Sequence, residues 1–260
     1  MNQTPFTLTA HGSSDIGLVR LNNEDVWSTL KEHGFFILAD GMGGHNAGEI
    51  AAKEAVQAAC LSVKKFFTSA AKPLTPLAIS SASKASIEAA NRWVYRLGKE
   101  KKDYKGMGTT LCTLLFHDQS LIYGHVGDSR IYRLRNFKLD QLTADHSLKN
   151  ALISQGKITA HSSKPFPYKN VLTKAVGTHP HVEPDIQITP VNRDDVYLMC
   201  SDGLTDYVDH QKIHRVLAQD RNPKSAIQTL IQLAKKHGGN DNITIVIVRV
   251  DEAQKHHLPR

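Results

Sequence analysis

The chain has 260 residues, of which 40% are hydrophobic and 22% charged; 32 Lys plus Arg against 25 Asp plus Glu give a formal charge of +7. These proportions belong to a folded globular protein and exclude a disordered tail, a collagen-like repeat or a low-complexity fibre. No apolar run approaches the roughly 18 residues of a membrane span, and the opening MNQTPFTLTA lacks the basic-then-apolar order of a signal peptide.

In chain order, FFILAD at 35–40 is a short apolar run stopped by Asp-Gly and predicts a buried strand. Residues 47–67 predict a helix, with Ala51, Ala55, Ala59 and Val63 on one stripe. A second helix is expected over 76–101, where Ala82, Ala85, Ala89, Trp93 and Leu97 recur at spacings of three and four. The period then changes. TTLCTLLF (109–116), SLIYGHVG (120–127) and SRIYRL (129–134) predict antiparallel strands at hairpin spacing. Residues 146–170 carry no strong strand and read as a surface excursion or flap. A strand is expected at 195–201, a helix after Pro223 with the stripe Ile227, Leu230, Ile231 and Ala234, and a last strand at 243–250. Several strands are apolar on both faces, so two face-to-face sheets with helices outside satisfy the pattern.

Cys60, Cys112 and Cys200 lie far apart and form neither a CxxC pair nor a disulfide framework. Free thiols in a reducing cytoplasm are the expectation. The Lys99 to Lys102 patch reads as a solvated helix end; lysines do not interleave with aromatics, so no nucleic-acid partner is expected.

The informative pattern is acid at strand ends. Asp40 ends FFILAD, Asp202 ends VYLMCSD, Asp128 follows the strand ending at Gly127, Asp241 precedes the last strand, and Glu24 stands ahead of the first apolar strand, next to Asp25. Each Asp-Gly alone reads as a turn. Together they carry more. Five such charges at about 6 Å and an effective dielectric of about 20 repel by about 3 kcal/mol per pair, which summed over all pairs exceeds the roughly 5–15 kcal/mol by which a domain is stable. A converged cluster must therefore bind cations or protonate. An all-oxygen donor set favours Mg²⁺ or Mn²⁺ over Zn²⁺. Spacing alone does not bring the five together. Gly41-Met42-Gly43-Gly44 is no dinucleotide or P-loop fingerprint, and no G-x-S-x-G elbow supports a serine hydrolase. Arg20, four residues before Glu24, can fork onto two phosphate oxygens.

Eight segments resemble a known family in its own order: Ser14-Asp15-Ile16-Gly17 with Arg20 and Asn23-Glu24-Asp25; Asp40-Gly41-Met42-Gly43-Gly44-His45 with Gly48-Glu49; Met107-Gly108-Thr109-Thr110; Gly127-Asp128-Ser129-Arg130; Leu142-Thr143-Ala144-Asp145-His146-Ser147; Asn170-Val171-Leu172-Thr173; Cys200-Ser201-Asp202-Gly203-Leu204-Thr205-Asp206; and Gly239-Asn240-Asp241-Asn242-Ile243-Thr244. The sequence is similar to the bacterial metal-dependent Ser/Thr protein phosphatases of type 2C. The resemblance implies an α+β fold, a four-layer αββα sandwich of two antiparallel sheets with helices on both outer faces. It implies one catalytic domain over 1–250, flap included, and a polar tail at 251–260. It also implies two Mn²⁺ or Mg²⁺ ions with a possible third. Asp40 would bridge the two, with the Gly41 carbonyl on one; Asp202 and Asp241 would hold the other; Glu24 would act through water; and Asp128, with Asp202, would match the third site. Arg20 would bind the substrate phosphate. Some relatives carry His after Asp-Gly as a general acid; here Met42 stands there, and His45 is the candidate.

The implied activity is hydrolysis of phosphoserine and phosphothreonine in proteins, with a cognate Ser/Thr kinase among the partners and a monomer as the expected state. The alternatives are a non-catalytic relative that binds phosphoproteins and a metal-dependent nuclease or phosphodiesterase.

Overall fold

The computed structural model describes residues 6–43, 47–71, 73–159, 166–168 and 170–252. His45 and the tail from 253 onward lie outside the described residues, as does part of the expected flap. Among the described residues the strands are β1 (Phe6–Asp15), β2 (Asp25–Leu30) and β3 (Phe35–Met42), followed by helices α1 (Ala47–Ser69) and α2 (Pro76–Glu100). Then come β4 (Gly108–Thr109), β5 (Leu111–His117), β6 (Ser120–Val126), β7 (Arg130–Arg135), β8 (Lys138–Gln141), α3 (Leu148–Ser154), β9 (Asp185–Pro190) and β10 (Val196–Cys200). The chain continues with α4 (Asp202–Thr205), α5 (His210–Gln219), α6 (Pro223–Lys236) and β11 (Ile243–Glu252). No described helix is long and apolar enough to cross a membrane.

One sheet runs β1-β11-β10-β7-β8 and the other β2-β3-β5-β6-β9, with β4 pairing on β3. Every pairing is antiparallel. The central strands are apolar on both faces because each face meets a different layer. In β3, Phe35, Ile37 and Ala39 face α1 and α2, while Phe36 and Leu38 face the other sheet. In β11, Ile243, Ile245 and Ile247 pack under α5 and α6, while Val246, Val248 and Val250 meet the first set across the sandwich. Phe116 ties the sheets together, edge-on to Phe36 at 6.0 Å and to Tyr197 at 5.5 Å between ring centres. The result is the expected four-layer αββα sandwich.

Helix ends follow local chemistry. Thr75 accepts from the Ala78 amide and Pro76 opens α2; Asn222 accepts from the Lys224 amide and Pro223 opens α6. The expected excursion after His146 contains the short helix α3, which periodicity did not reveal. Ser147 caps it by accepting from the Asn150 amide.

Candidate active site

Strand order brings the acids to one end of the sandwich. Asp40 at the end of β3 lies opposite Asp25 at the start of β2. Cys200 at the end of β10 pairs with Ile245 near the start of β11, which places Asp202 and Asp241 on the same rim. Asp128 occupies the turn from β6 to β7. Arg20, Glu24, Asp40, Gly41, Asp128, Asp202 and Asp241 together line one cavity of about 200 Å³, with Met42, Thr110, Asn170 and Leu172 also on its wall.

The rim is held by a dense polar network. The Asp40 amide donates to Thr110 Oγ1 (3.0 Å), and Thr109 Oγ1 donates to the Asp40 carbonyl (2.8 Å). Asn242 accepts from the Glu24 amide (2.8 Å) and donates to the carbonyls of Ile16 (3.1 Å) and Asn22 (2.9 Å), so one amide side chain fixes three points of the 16–24 loop. Two glycines are required by close approach. A Cβ on Gly41 would meet the Gly48 and Glu24 carbonyls, and one on Gly203 would collide with the Asn242 carbonyl.

The electrostatics show strong crowding. Burial, then the charges of Asp25, Asp202, Asp128 and Asp241, push the Asp40 carboxyl well above the ordinary carboxylate range. Burial followed by Asp128 and Asp241 lifts Asp202 to about 8. Burial first, with Asp145 next, lifts Asp128 to about 6, and burial raises Glu24. Without cations, Asp40 and Asp202 hold their protons to higher pH than ordinary carboxyls do. Arg20 is the compensating charge: its Nη2 donates to Asp241 Oδ2 at 2.7 Å.

Asp25 is a member of the cluster that the sequence reading did not assign. It is buried, accepts from Ser201 Oγ at 2.8 Å, and lies opposite Asp40, with its carboxyl raised to about 6 mainly by burial. The available signal was its position, an acid opening the β-prone run DVWSTL.

The donor set fits hard cations. It consists of half-buried carboxylates and a backbone carbonyl, crowded so that full ionisation is disfavoured without them. The cavity's carboxylates form no group of three with mutually close ligand atoms among the described residues. Mg²⁺-like ions keep several waters and take one or two carboxylates each, so they need no close cluster of three.

A different group, His125, His146 and Asp185, does bring its ligand atoms within 4.8 Å of one another. Its hydrogen bonds argue against a metal there. The Gly127 amide donates to His146 Nδ1 at 3.1 Å, which keeps the proton on Nε2, 3.3 Å from Asp185 Oδ2. The two rings stack at 4.5 Å and 10°, so their in-plane lone pairs do not converge. Burial lowers both imidazoles, His146 to about 4. This neutral pair fastens the root of the flap instead: His125 Nε2 donates to the Ala144 carbonyl (2.9 Å), and beside the rings the His146 amide donates to the Gly127 carbonyl (2.9 Å) and the Thr173 amide to the His146 carbonyl (2.8 Å).

A two-sheet sandwich with an acid-lined basin at one end defines a class, and comparison with known proteins agrees. Residues 19–236 match the protein phosphatase 2C family, and the chain belongs to it; it is an enzyme, a protein phosphatase. Among its relatives is the serine/threonine phosphatase stp of Listeria monocytogenes, 36% identical over 245 residues, covering 93% of this chain and 96% of the relative. The crystal structure of the Mycobacterium tuberculosis serine/threonine phosphatase PstP/Ppp superposes with a TM-score of 0.84 at 34% identity, over 94% of this chain and 99% of that one. The PstP catalytic domain in complex with two manganese ions gives 0.81 at 34% identity, over 95% and 99%.

Proposed function

We propose that this protein hydrolyses phosphoserine and phosphothreonine in proteins with two divalent cations, Mn²⁺ or Mg²⁺, and so reverses the action of a Ser/Thr kinase. The observation that carries the reading is the gathering of Glu24, Asp40, Asp128, Asp202 and Asp241 with Arg20 around one cavity. The manganese complex of the similar PstP domain supports the choice of cation.

Asp40 and the Gly41 carbonyl would hold one ion, and Asp202 and Asp241 the other, with Asp40 reaching both. Glu24 would act through water, and Asp128 with Asp202 would offer a third position. When bound, such a pair lowers the pKa of a shared water and offsets charge on the phosphoryl oxygens. The chain's own residues do the rest. Arg20, now on Asp241, would turn its fork onto two phosphate oxygens once Asp241 is engaged by a cation, and so hold phosphorus for in-line attack. The wall from Gly41 to Thr110 keeps Asp40 fixed, so little reorganisation accompanies the reaction. A cysteine nucleophile has no support: burial lifts the Cys200 thiol to about 12 and Cys112 well above its usual value, so neither is a thiolate at neutral pH.

The test is turnover of p-nitrophenyl phosphate and a phosphothreonine peptide. Activity is expected with Mn²⁺ and should vanish in EDTA. Asp202→Asn should lose about a hundredfold or more, since even outer partners of metal ligands cost 10–100-fold, while circular dichroism stays unchanged. Turnover that survives EDTA would refute the two-ion reading.

A further inference from the structure

The patch that reads as a solvated helix end in the sequence forms a hollow in the structure. Lys99, Lys101, Lys102 and Lys105 line a cavity of about 320 Å³ with Tyr95 and Thr178, and Gly98, Gly106 and Gly177 leave its wall without side chains. Lys99 and Lys101 are steered by aromatic faces: their Nζ atoms sit 5.3 Å from the Tyr95 ring centre and 5.0 Å from that of Tyr104. Among the described residues none of the four ammonium groups is in an ion pair. The neighbouring acid Glu100 turns to Arg96 at 4.0 Å, which leaves the exposed Asp103 against four cations. Helix-dipole complementarity accounts for a lysine in the last turn of α2, but Lys102 and Lys105 lie beyond the helix end.

The hollow adjoins the active site. Gly108 sits between them: a Cβ there would lie 2.8 Å from Met42 Cε, on the wall of the acidic cavity, and 2.8 Å from Thr178 Cγ2, on the wall of the lysine hollow. One layer of side chains separates a carboxylate-lined basin from a pocket lined by ammonium groups. An extended peptide advances about 3.3 Å per residue, so a substrate seated by its phosphoresidue reaches the hollow within a few positions.

We propose that this hollow is a docking site for an acidic segment, rich in Asp or Glu, that flanks the phosphorylated residue of the substrate protein. The inference rests on the phosphatase reading above and adds a sequence preference to it. Lysine ammonium groups suit such a segment because they are mobile point charges that accept carboxylates in many registers. They also supply an attractive field beside an acidic basin.

The experiment compares a neutral phosphothreonine peptide with two versions carrying an aspartate block, one before and one after the phosphoresidue. One acidic version should show a KM about tenfold lower at low salt, the combined effect of several exposed ion pairs, and the gain should shrink as salt screens it. Lys101→Ala/Lys102→Ala/Lys105→Ala should erase the gain and leave p-nitrophenyl phosphate kinetics unchanged. Lys224→Ala/Lys236→Ala, on another face, should keep it. Fluorescence anisotropy with the unphosphorylated acidic peptide measures the hollow independently of turnover, so a preparation inactive on p-nitrophenyl phosphate would strike the phosphatase reading while the hollow is still decided. No acidic preference, a preference that persists in the triple variant, or lysine-dependent sedimentation with phosphatidylserine vesicles in its place would each overturn the proposal.

Discussion

Arg20 and Asp241 show how a single pair couples two tasks. In the structure the guanidinium is committed to Asp241 at 2.7 Å, and its charged form is favoured chiefly by that bond. On the proposed reading a cation at Asp241 would compete for the same carboxylate, so ion binding would release Arg20 toward a phosphate. Arg20→Lys keeps the charge but loses the fork. It should lower kcat/KM roughly 10–150-fold, the equivalent of about 1.5–3 kcal/mol for a lost charged hydrogen bond, while Mn²⁺ binding is kept or slightly tightened because the competing fork is gone; steady-state kinetics with a phosphopeptide and a Mn²⁺ titration separate the two. Asp25 marks the limit of motif reading at this scale. Its neighbour Glu24 lines the cavity, whereas Asp25 points between the sheets to Ser201 and Asp40, and only the pleat of β2 decides which of two adjacent acids faces where.

At the scale of elements, the central strands and long helices were legible and the edges were not. β3, β5, β6, β7, β10 and β11 are buried on one or both faces and stand out as apolar runs. β1, β8, β2 and β9 are the four sheet edges, half exposed and mixed in composition, as in DIQITP of β9. Their partners impose the strand conformation, so the local sequence carries a weak signal. Helix α5 escaped for a similar reason, since it buries only Ile213 and Leu217. The loops between elements depend on single fasteners. Asn242 joins the 16–24 loop to the start of β11 through three hydrogen bonds. Asn242→Ala leaves those backbone groups unpaired in a buried place and should cost about 2–3 kcal/mol, read as a lower urea midpoint at unchanged slope.

For the whole molecule, the acidic basin makes stability depend on pH and on cations together. Asp202 binds its proton up to about pH 8, far above its value in an unfolded chain, and Asp40 is raised in the same direction. A group raised on folding contributes its full stabilisation below its unfolded pKa, near 4, and loses it as pH rises through the folded value. In EDTA the stability should therefore fall between pH 6 and pH 9, by an amount on the order of a few kcal/mol, and the melting temperature with it. On the proposed reading Mn²⁺ would replace the protons and stabilise by mass action, so its effect on melting should be larger at pH 8 than at pH 6. Differential scanning fluorimetry across that range checks both; a cation effect independent of pH would contradict the crowding of these carboxylates.

The sequence by itself determined the layers and named most of the polar residues of the basin, because apolar period and strand-end acids are local properties of the chain. It also carried the family resemblance, through eight short segments in order. Tertiary structure alone decided that acids up to about two hundred positions apart share one cavity of about 200 Å³, that Asp25 stands behind Asp40, and that the lysines after α2 enclose a hollow beside Met42. These are consequences of strand order and of glycines that let backbones touch, and charges gathered from distant strands leave no trace in the spacing of any one segment.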